Sequence, residues 1–465
     1  MKEIGLIGLG AMGRNLAYNF LSHGIKVVGY NRTTTLTEEI NSEERNGFHG
    51  AVTLEELVQH LPKPRQIFLM VTAGETIDKV LSELCPLLDE GDIILDGGNS
   101  FFEDTNRRVV QLAQQGIVYY GVGLSGGTKG ARIGPSLMPG GDKEKYHEVQ
   151  DILEIVAAKY HGEACCSYIG PEGSGHYVKM VHNGIEYADM QLIVESYLLL
   201  KTIGKFNNQQ ISEIFDNWNQ GKSKSYLLEI TVKILREKEE NMGLYLIDLI
   251  QDKASHKGTG KWTAIESMKQ EENAAMISGA YLARLVSNDK RRLLFTESLP
   301  SPKGRNVDPI IFTEELKKAY YLGKVMAYAQ GFDLMKSASE KFSWNLNLAN
   351  IASIFRAGCI IQSEILEEIR KSYQQGEELK TLIEYPLFIK EVQARIQSLR
   401  VVVSLGIQYG LPLPLFTSAQ TSLDQLRSPQ VGANLIQAQR DFFGAHQFRR
   451  IDQEGDIHYE WEKED

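Results

Sequence analysis

One glycine pattern near the start of the chain constrains its fold more than any other feature. A G-x-G-x-x-G sequence directly follows an apolar, β-branched run at residues 2–6 and opens a segment with helical periodicity. In such a turn the first glycine makes a tight bend, the second lets the backbone approach a pyrophosphate, and the third allows close helix–strand packing. The N-terminus of the following helix offers free N–H groups to phosphates. We therefore predict a dinucleotide site made by Gly8, Leu9, Gly10, Ala11, Met12 and Gly13.

The residues after the second predicted strand indicate which dinucleotide binds. An NAD site usually has Asp or Glu at this point, which binds the ribose 2′-hydroxyl. This chain has no carboxylate here, and Arg32 stands between Asn31 and Thr33. A guanidinium can pair bidentately with a 2′-phosphate, and its two neighbours are neutral donors. The pattern favours NADP over NAD; the alternative is a plain surface arginine at a strand end.

The order of predicted strands and helices divides the chain into three parts. Strands predicted at 2–6, 26–30, 66–71 and 92–95 alternate with helices, which indicates a parallel sheet with right-handed crossovers. Long amphipathic helices are predicted from about residue 175 onward, at 178–202, 211–239, 272–285, 313–330, 349–374 and 387–410. We predict an α/β Rossmann-type domain (1–175), a large all-α domain (176–436) and an extended C-terminal tail (437–465).

Charge and cysteine content exclude several classes of protein. The formal net charge of −10 argues against nonspecific nucleic-acid binding, and an anionic substrate would need a local cluster of Arg and Lys. No apolar run approaches the ~18 residues of a membrane span, and no secretion signal is recognisable at the N-terminus. None of the four cysteines forms a C-x-x-C pair, and no histidines have zinc spacing. We expect a cytoplasmic protein with reduced, buried thiols and no metal.

Two glycine-containing turns are candidates for contacts with the reacting end of the cofactor or the substrate. Asn99 follows two glycines after a predicted strand, and its amide could contact a nicotinamide carboxamide or a substrate hydroxyl. Ser125, Gly126 and Gly127 form a turn whose backbone N–H groups suit a carboxylate. A purely structural turn remains an alternative for both.

The densest set of polar residues lies at the start of the first long helix. Lys179, His182, Asn183 and Glu186 are spaced i, i+3, i+4 and i+7, so they form one stripe. A solvated face of an ordinary amphipathic helix would give the same pattern. His and Asn are poor choices for a plain solvent face, and the stripe directly follows the nucleotide-binding part. Both points favour a catalytic stripe over a solvated helix face.

Cations for an anionic substrate are present further along the chain. Lys257, Thr259 and Lys261 alternate with glycines in a loop that resembles a phosphate cradle without the full P-loop pattern. Arg284 and Arg440 add further positive charge. Scattered arginines are usually surface ion pairs, so their position in the fold decides their meaning.

Taken together, these stretches resemble the 6-phosphogluconate dehydrogenases over essentially the whole chain. The run Lys-Met-Val-His-Asn-Gly-Ile-Glu-Tyr at 179–187 is specific to that family among the wider β-hydroxyacid dehydrogenases. The other matching stretches are 8–16, 31–33, 96–100, 125–127, 130–132, 134–141, 189–191, 257–263 and 437–446.

The resemblance implies a decarboxylating, NADP-dependent reaction of the pentose phosphate route and a role for each site residue. Lys179 is implied to be the general base and Glu186 the acid that protonates the product enol. Residues implied to hold the carboxylate and hydroxyl end are Asn99, Ser125, Gly126, Gly127, His182 and Asn183. Those implied at the phosphate end are Tyr187, Lys257, Thr259 and Arg284, with Arg440 and His446 from the tail of the other subunit of a homodimer. Val71, Thr72, Ala73 and Asn99 are implied to join the cofactor site.

The chain departs from the family pattern at several positions. The family often has Glu-Glu where this chain has Thr128 and Lys129. Many members also have a lysine at the positions of Leu36 and Thr72. Because both of those lysines would lie near the nucleotide, NAD remains an alternative cofactor.

Two other functions compete with this interpretation. A related β-hydroxyacid dehydrogenase would act on a small unphosphorylated acid, which would not need the Lys257 loop, Arg284 or the tail. A silent NADPH-binding protein would retain the fold without turnover, but the intact Lys179 and Glu186 argue against it.

Overall fold

The computed structural model describes residues 2–240, 242–255, 258–300, 302–375 and 379–462. These residues form two units, Met1–Ser418 and Ala419–Asp465. Among the described residues, no helix combines the length and the apolar character needed to cross a membrane. All four cysteines are buried and unpaired, as predicted.

The N-terminal part of the first unit is a seven-stranded sheet with helices on both faces. The strands are β1 (Glu3–Ile7), β2 (Lys26–Tyr30), β3 (Phe48–Ala51), β4 (Gln66–Leu69), β5 (Ile93–Asp96), β6 (Val118–Ser125) and β7 (Ser136–Gly140). Their order is β3-β2-β1-β4-β5-β6-β7, parallel except for β7, which runs antiparallel to β6. The helices are α1 (Ala11–Ser22), α2 (Thr34–Ser42), α3 (Leu54–His60), α4 (Glu75–Leu84), α5 (Phe102–Ala113), α6 (Gly127–Ile133) and α7 (Tyr146–Val156).

The sheet is buried on both faces because its strands are apolar at nearly every position. On β5, Ile93 and Leu95 pack into the hydrophobic cluster of one face and Ile94 into that of the other. Side chains alternate across a strand, so a continuous apolar run is what a doubly covered parallel sheet requires. The strand order places the carboxyl ends of β1, β4 and β5 side by side, where such folds bind ligands. A small hairpin, β8 (Lys159–Tyr160) with β9 (Glu163–Ala164), leads to the helical part.

The rest of the first unit is helical and is built around two long helices. The helices are α8 (Ser174–Thr202), α9 (Asn208–Trp218), α10 (Tyr226–Arg236), α11 (Leu246–Leu249), α12 (Thr259–Lys269), α13 (Ala275–Ser287), α14 (Arg291–Ser298), α15 (Pro309–Lys341), α16 (Leu348–Ile354), α17 (Ile365–Gln374) and α18 (Pro386–Gln408). Helix α19 (Pro414–Arg427) begins in the first unit and ends in the second. Gly331 on α15 lies against α8 so closely that a Cβ there would come within 2.4 Å of Ile185. An ion pair between Lys324 and Asp189, 2.6 Å long and fully buried, joins the same two helices.

The structure breaks two of the predicted helices. The segment predicted at 211–239 is divided into α9 and α10, and Ser225 caps the second by accepting from the N–H of Leu228. The segment predicted at 349–374 is divided into α16 and α17, with Gly358 at φ +70° between them. The first break falls on a wholly polar stretch, residues 219–225, which contains Gly221, and the second on Gly358; the predicted segments had run through both.

The second unit is more ordered than the extended tail predicted from residue 437. Helix α20 (Ala433–Gly444) precedes a two-stranded antiparallel hairpin of β10 (Phe448–Arg449) and β11 (Asp456–Ile457). The fully buried Asp441 accepts hydrogen bonds from the Gln447 and Tyr459 N–H groups and the Trp461 indole, and contacts His458. One carboxylate therefore fastens the chain after residue 445 back onto α20.

Candidate active site

The glycine turn has the geometry that a pyrophosphate site needs. Gly8 has φ +98°, and a Cβ on it would lie 2.5 Å from the Met70 carbonyl oxygen. A Cβ on Gly13 would lie 1.8 Å from the Gly8 oxygen, so only glycine lets α1 pack this closely. A Cβ on Gly10 would meet nothing within 4 Å, so that face of the turn is open. Gly10 provides no side-chain cap for α1, which leaves the first N–H groups of the helix available to an anion.

Two clefts open from this turn. One, of about 740 Å³, is lined by Gly10, Ala11, Met12, Gly13, Met70, Val71, Thr72, Ala73, Gly74, Gly97, Gly98, Asn99, Phe101, Asp104, Leu124 and Trp262. The other, of about 380 Å³, is lined by Ile7, Gly8, Gly10, Tyr30, Asn31, Arg32, Thr33, Leu54, Met70, Val71, Thr72, Thr76, Lys79, Val80 and Glu83. The structure thus brings all the sequence-predicted cofactor residues except Leu9 to the walls of two adjoining clefts. Leu9 itself is buried beneath the turn.

The second cleft contains cations at the end where a ribose 2′-substituent would lie. Arg32 is exposed, and no hydrogen bond or ion pair engages it among the residues that the structure describes. Lys79, on α4, lines the same cleft and was missed by sequence reasoning because it belongs to no motif. Asn31 also has a structural task, since its Oδ1 accepts from the Leu9 N–H at 2.9 Å and its Nδ2 donates to the Thr33 carbonyl at 3.0 Å, and its contact with a cofactor stays a prediction. It holds the end of β2 against the glycine turn.

Three residues of the polar stripe of α8, Lys179, His182 and Asn183, are joined by hydrogen bonds, and the Glu186 carboxylate lies 3.9 Å from His182 Nδ1. The Lys179 Nζ donates to Asn183 Oδ1 at 2.7 Å and lies 3.3 Å from His182 Nδ1. His182 Nε2 lies 3.0 Å from the Ser125 hydroxyl, and its Nδ1 lies 3.1 Å from Asn183 Oδ1. A neutral imidazole with its hydrogen on Nδ1 satisfies both of these contacts. The stripe is therefore not a solvated face.

Burial shifts the pKa values of Lys179 and Glu186, at the two ends of the stripe, toward each other. It lowers the pKa of the Lys179 ammonium, against the opposing charges of Glu186 and Cys359. It raises the pKa of the Glu186 carboxyl, although the charges of Lys179 and Arg284 act in the other direction. Burial and the nearby Lys179 also keep the pKa of His182 well below its usual value, so His182 is neutral. A lysine prepared to accept a proton beside a carboxyl prepared to hold one is the arrangement of a base and an acid.

The turn after β6 is held by a segment far away in sequence. Gly126 has φ +119°, and a Cβ there would come within 2.5 Å of the Gly358 carbonyl oxygen. The Ser125 hydroxyl also accepts from the Ile360 N–H at 3.4 Å. Sequence reasoning assigned no role to residues 358–360, which carry no recognisable motif.

Some of the side chains predicted to bind a phosphate lie close to one another or to the stripe. Thr259 begins α12 and accepts from Asn183 Nδ2 at 3.0 Å, which links this corner to the stripe. The Arg284 guanidinium carbon lies 3.4 Å from the centre of the Tyr187 ring, and a Cβ on Gly260 would touch that ring at 2.5 Å. Lys257 lies outside the described residues. Of the predicted phosphate-binding cations Lys257, Arg284 and Arg440, Arg284 is the one that the structure describes in the first unit.

The two tail residues predicted at the phosphate lie in the second unit. Arg440 is exposed on α20, where its Nη1 donates to Gln437 Oε1 at 3.1 Å. His446 is exposed and packs its ring edge-on against Phe443, with centroids 5.9 Å apart. Both side chains face solvent within their own unit, so their contact with a substrate stays a prediction.

One group among the described side chains could ligate a metal ion. His49, Glu56 and His60 lie on β3 and α3, with possible ligand atoms within 4.8 Å of one another. The two imidazoles are stacked, with centroids 4.1 Å apart and an angle of 26°. Nearly parallel rings direct their lone pairs side by side rather than at one point, which is poor geometry for binding one metal ion. None of the three residues belongs to the stripe on α8.

Comparisons with known proteins agree with this geometry. The family model described as the NAD binding domain of 6-phosphogluconate dehydrogenase matches residues 3–170, and the model of the C-terminal domain of that enzyme matches residues 175–461. An NAD(+)-dependent decarboxylating 6-phosphogluconate dehydrogenase from Bacillus subtilis is 46% identical over 99% of both chains. The NADP(+)-dependent enzyme of the same organism is 45% identical over the same shares.

A solved structure is similar over the whole chain. The 6-phosphogluconate dehydrogenase of Plasmodium falciparum, studied in its apo form and in complexes with NADP+ and with 6-phosphogluconate, is 42% identical. It superposes with a TM-score of 0.95 and covers 99% of this chain and 100% of its own.

Proposed function

Because this chain belongs to the 6-phosphogluconate dehydrogenase family, we propose that it converts 6-phospho-D-gluconate to D-ribulose 5-phosphate and CO₂ with reduction of NADP, in the cytoplasm. The observation that carries this proposal is the stripe of Lys179, His182, Asn183 and Glu186, in which the buried His182 contacts Ser125, the neighbour of Leu124 in the wall of the larger cleft. The two competing functions explain less. A small unphosphorylated acid does not account for Arg284 stacked on Tyr187. A silent protein does not account for an intact Lys179 that is held by Asn183 and lies 3.3 Å from His182.

A direct assay tests the proposal. The purified protein is incubated with 6-phosphogluconate and NADP, and reduced nicotinamide is followed by absorbance while released CO₂ is trapped. We expect one CO₂ for each NADPH. Reduction without CO₂, or reduction only with a small unphosphorylated hydroxy acid, would contradict the proposal.

The residues of the cleft are suited to a nicotinamide dinucleotide. The open Gly10 and the uncapped N-terminus of α1 receive the pyrophosphate, and Asn99 lines the same cleft. Bound NADP supplies the carbon that accepts a hydride from C3 of the substrate. Trp262 and Phe101 line the same cleft and reduce the access of water to it.

Lys179 acts as the base of the oxidation. Its pKa is lowered by burial, so a neutral amine is available to take the proton of the C3 hydroxyl as the hydride leaves C3. The resulting ammonium then donates a hydrogen bond to the new C3 ketone. That ketone accepts the electron pair released when the bond to the carboxylate breaks, so loss of CO₂ requires no metal.

Glu186 completes the reaction as an acid. Its pKa is raised by burial, which favours a protonated carboxyl that gives its proton to the enediol carbon that becomes C1 of the product, while Lys179 takes back the proton of the C3 enol hydroxyl. Ser125, His182 and Asn183 hold the carboxylate and hydroxyl end, together with the backbone of Gly126 and Gly127 and the Asn99 side chain. Tyr187, Lys257, Thr259 and Arg284 hold the phosphate.

Arg32 makes the cofactor preference testable. Replacing it by alanine removes a cation that can pair only with the 2′-phosphate of NADP, so the Arg32→Ala variant should bind NADP about 10- to 100-fold more weakly. Binding of NAD should be nearly unchanged, which makes NAD the internal control. Dissociation constants for both nucleotides provide the measurement, and an equal loss for both would remove the basis of the preference.

Lys79 offers a second cation for the same phosphate. The Lys79→Ala variant, measured beside Arg32→Ala, separates their contributions, because Lys79 lines the cleft from α4 rather than from β2. A smaller loss, confined to NADP, is expected. Alanine at Lys143, an exposed position outside both clefts, is the matched control for a change in net charge.

The protein is proposed to act as a homodimer in which the second unit of one subunit completes the site of the other. Each unit exposes large apolar side chains that water disfavours and a partner would cover. In the first unit these include Leu282, Val286, Leu294, Phe295 and Leu299. In the second unit they include Leu435, Ile436, Phe442 and Phe443.

Mixing two variants, one without turnover and one with a weakened substrate site, tests this exchange. Lys179→Ala removes the base, and Arg440→Ala should raise the KM for 6-phosphogluconate about 10- to 100-fold by removing a hydrogen-bonded charge. If the tail serves the other subunit, a mixed dimer contains one site with both defects and one intact site. Co-refolded mixtures should therefore regain activity with a wild-type KM.

The opposite result is equally clear. If Arg440 serves its own subunit, every functional Lys179 in the mixture is paired with a defective tail, and the high KM persists. Arg450→Ala, which changes an exposed arginine paired with Asp452 in the same unit, controls for nonspecific effects on the tail.

A further inference from the structure

A buried polar network lies behind the turn that carries Asn99. Asp96 ends β5 and is fully buried, and its carboxylate accepts from the Gly98 N–H at 3.0 Å, the Ser100 hydroxyl at 2.7 Å and the Tyr119 hydroxyl at 2.8 Å. Two of these donors belong to residues 97–100 themselves. The conformation of the cofactor turn is thus fixed from inside the protein.

His176 connects this turn to α8. Its ring is 1% exposed, with Nε2 3.0 Å from the Asp96 carbonyl oxygen and Nδ1 2.7 Å from the Thr105 hydroxyl on α5. A carbonyl oxygen only accepts, so Nε2 carries the hydrogen and donates it, and Nδ1 accepts from Thr105. Burial lowers the pKa of His176, which agrees with this neutral form. One imidazole therefore fastens the first turn of α8 to the end of β5 and to α5.

The connection lies one helical turn before the proposed base. His176 and Lys179 are spaced i, i+3 on α8, so they are neighbours on one side of the helix. Two glycines of β6 let the helix approach at this point. A Cβ on Gly121 would lie 2.7 Å from His176 Nδ1, and one on Gly123 would lie 2.5 Å from the Lys179 Cβ. The strand therefore supports the two side chains together.

We propose that His176 is a positioning residue that sets the distance between the Lys179 amine and the nicotinamide placed at Asn99. The inference rests on the proposed function, because it concerns the simultaneous removal of a proton by Lys179 and of a hydride by the cofactor. Both transfers need the reacting atoms about 3–3.5 Å apart, and a displacement of about 1 Å can cost 10²-fold in rate. Lys179 lies on α8 and Asn99 in the turn after β5, and the His176 side chain bonds α8 directly to the Asp96 carbonyl where that turn begins.

Replacing His176 by leucine and by glutamine provides the test. Leucine fills the space without hydrogen bonds, whereas glutamine keeps a donor for the Asp96 carbonyl and an acceptor for Thr105. The His176→Leu variant should lose about 10- to 100-fold in kcat, with nearly unchanged KM for 6-phosphogluconate and nearly unchanged NADP binding. His176→Gln should restore most of the loss. Substrate deuterated at C3 should give a larger isotope effect on kcat in the leucine variant, because hydride transfer becomes slower than product release.

Several outcomes would overturn the proposal. An unchanged kcat in a folded His176→Leu variant would do so, as would equal losses in the leucine and glutamine variants. If the leucine variant does not fold, Thr105→Val removes the partner of Nδ1, together with the longer hydrogen bond from the Thr105 hydroxyl to the Phe101 carbonyl within α5, and should lower kcat about 3- to 10-fold with KM unchanged. Wild-type kcat in both Thr105→Val and His176→Gln would then refute the positioning role.

A control separates this inference from the proposed function. His147→Leu changes an exposed histidine on α7 and should leave all constants unchanged. If the wild-type protein does not oxidise 6-phosphogluconate, the proposed function itself fails. If the wild type is active and His176→Leu equals it, only the positioning role fails.

Discussion

Replacing Lys179 by alanine should reduce kcat with 6-phosphogluconate toward the upper end of the 10²- to 10⁴-fold range that is typical of general acid–base catalysis, about 10³-fold or more. The C3 hydroxyl loses its proton as the hydride leaves, and alanine offers no acceptor in its place. His182 does not substitute for it, because its pKa is held well below the usual value by burial and by Lys179. Turnover should therefore nearly cease.

Nucleotide binding should survive the same substitution. Lys179 lines neither of the two clefts beside the glycine turn, and Trp262 in the larger cleft offers a fluorescence signal for NADPH. NADPH should quench the Trp262 fluorescence of the variant with a wild-type dissociation constant. A single-turnover experiment with NADP and 6-phosphogluconate should yield no NADPH.

The same helix offers a control for Lys179. Lys201 lies on α8, is exposed and bonds to Tyr197 and Asp248. Lys201→Ala should change kcat by less than about twofold, since surface substitutions away from a site are usually near neutral. Appreciable turnover by Lys179→Ala would assign the base to another residue.

The Glu186→Gln variant should lose about 10²- to 10⁴-fold in steady-state rate for a different reason. Glutamine keeps the shape of the side chain but cannot deliver a proton to the enediol. Hydride transfer and loss of CO₂ precede that step, so rapid mixing should show a burst of about one NADPH per site, followed by slow turnover. Lys179→Ala should show no burst, which distinguishes the two roles.

The pH profile gives a second signature of Glu186. Its pKa is raised, so in the wild type the acid form persists to higher pH than for an ordinary glutamate and is lost as the pH rises through that raised value. The alkaline limb of the rate profile should therefore be missing in Glu186→Gln. Glu229→Gln, an exposed change on α10, is the control. Absence of the burst in Glu186→Gln would show that Glu186 is needed before decarboxylation.

Much of the nucleotide site followed from local sequence. The glycine turn, the strand before it and the Arg that replaces an acidic residue are all short-range patterns, and the structure gives Gly8 and Gly13 a steric reason, while Gly10 leaves one face of the turn open. The run at 179–187 was equally informative, since the comparisons confirm the family that it indicated. Local patterns suffice where the chemistry depends on neighbours along the chain.

The tertiary structure alone decided what the stripe on α8 means. Periodicity predicted one polar and one apolar side, but α8 is covered nearly all round, and the packing of α12, α15 and β6 turns an apparent solvent face into a buried base and acid. The Ser125 turn is held by a residue 235 positions away. His176 gains its meaning only through Asp96, which is 80 positions earlier. Burial and pKa depend on which distant elements pack together, and helical periodicity reports only the neighbours of a residue within its own helix.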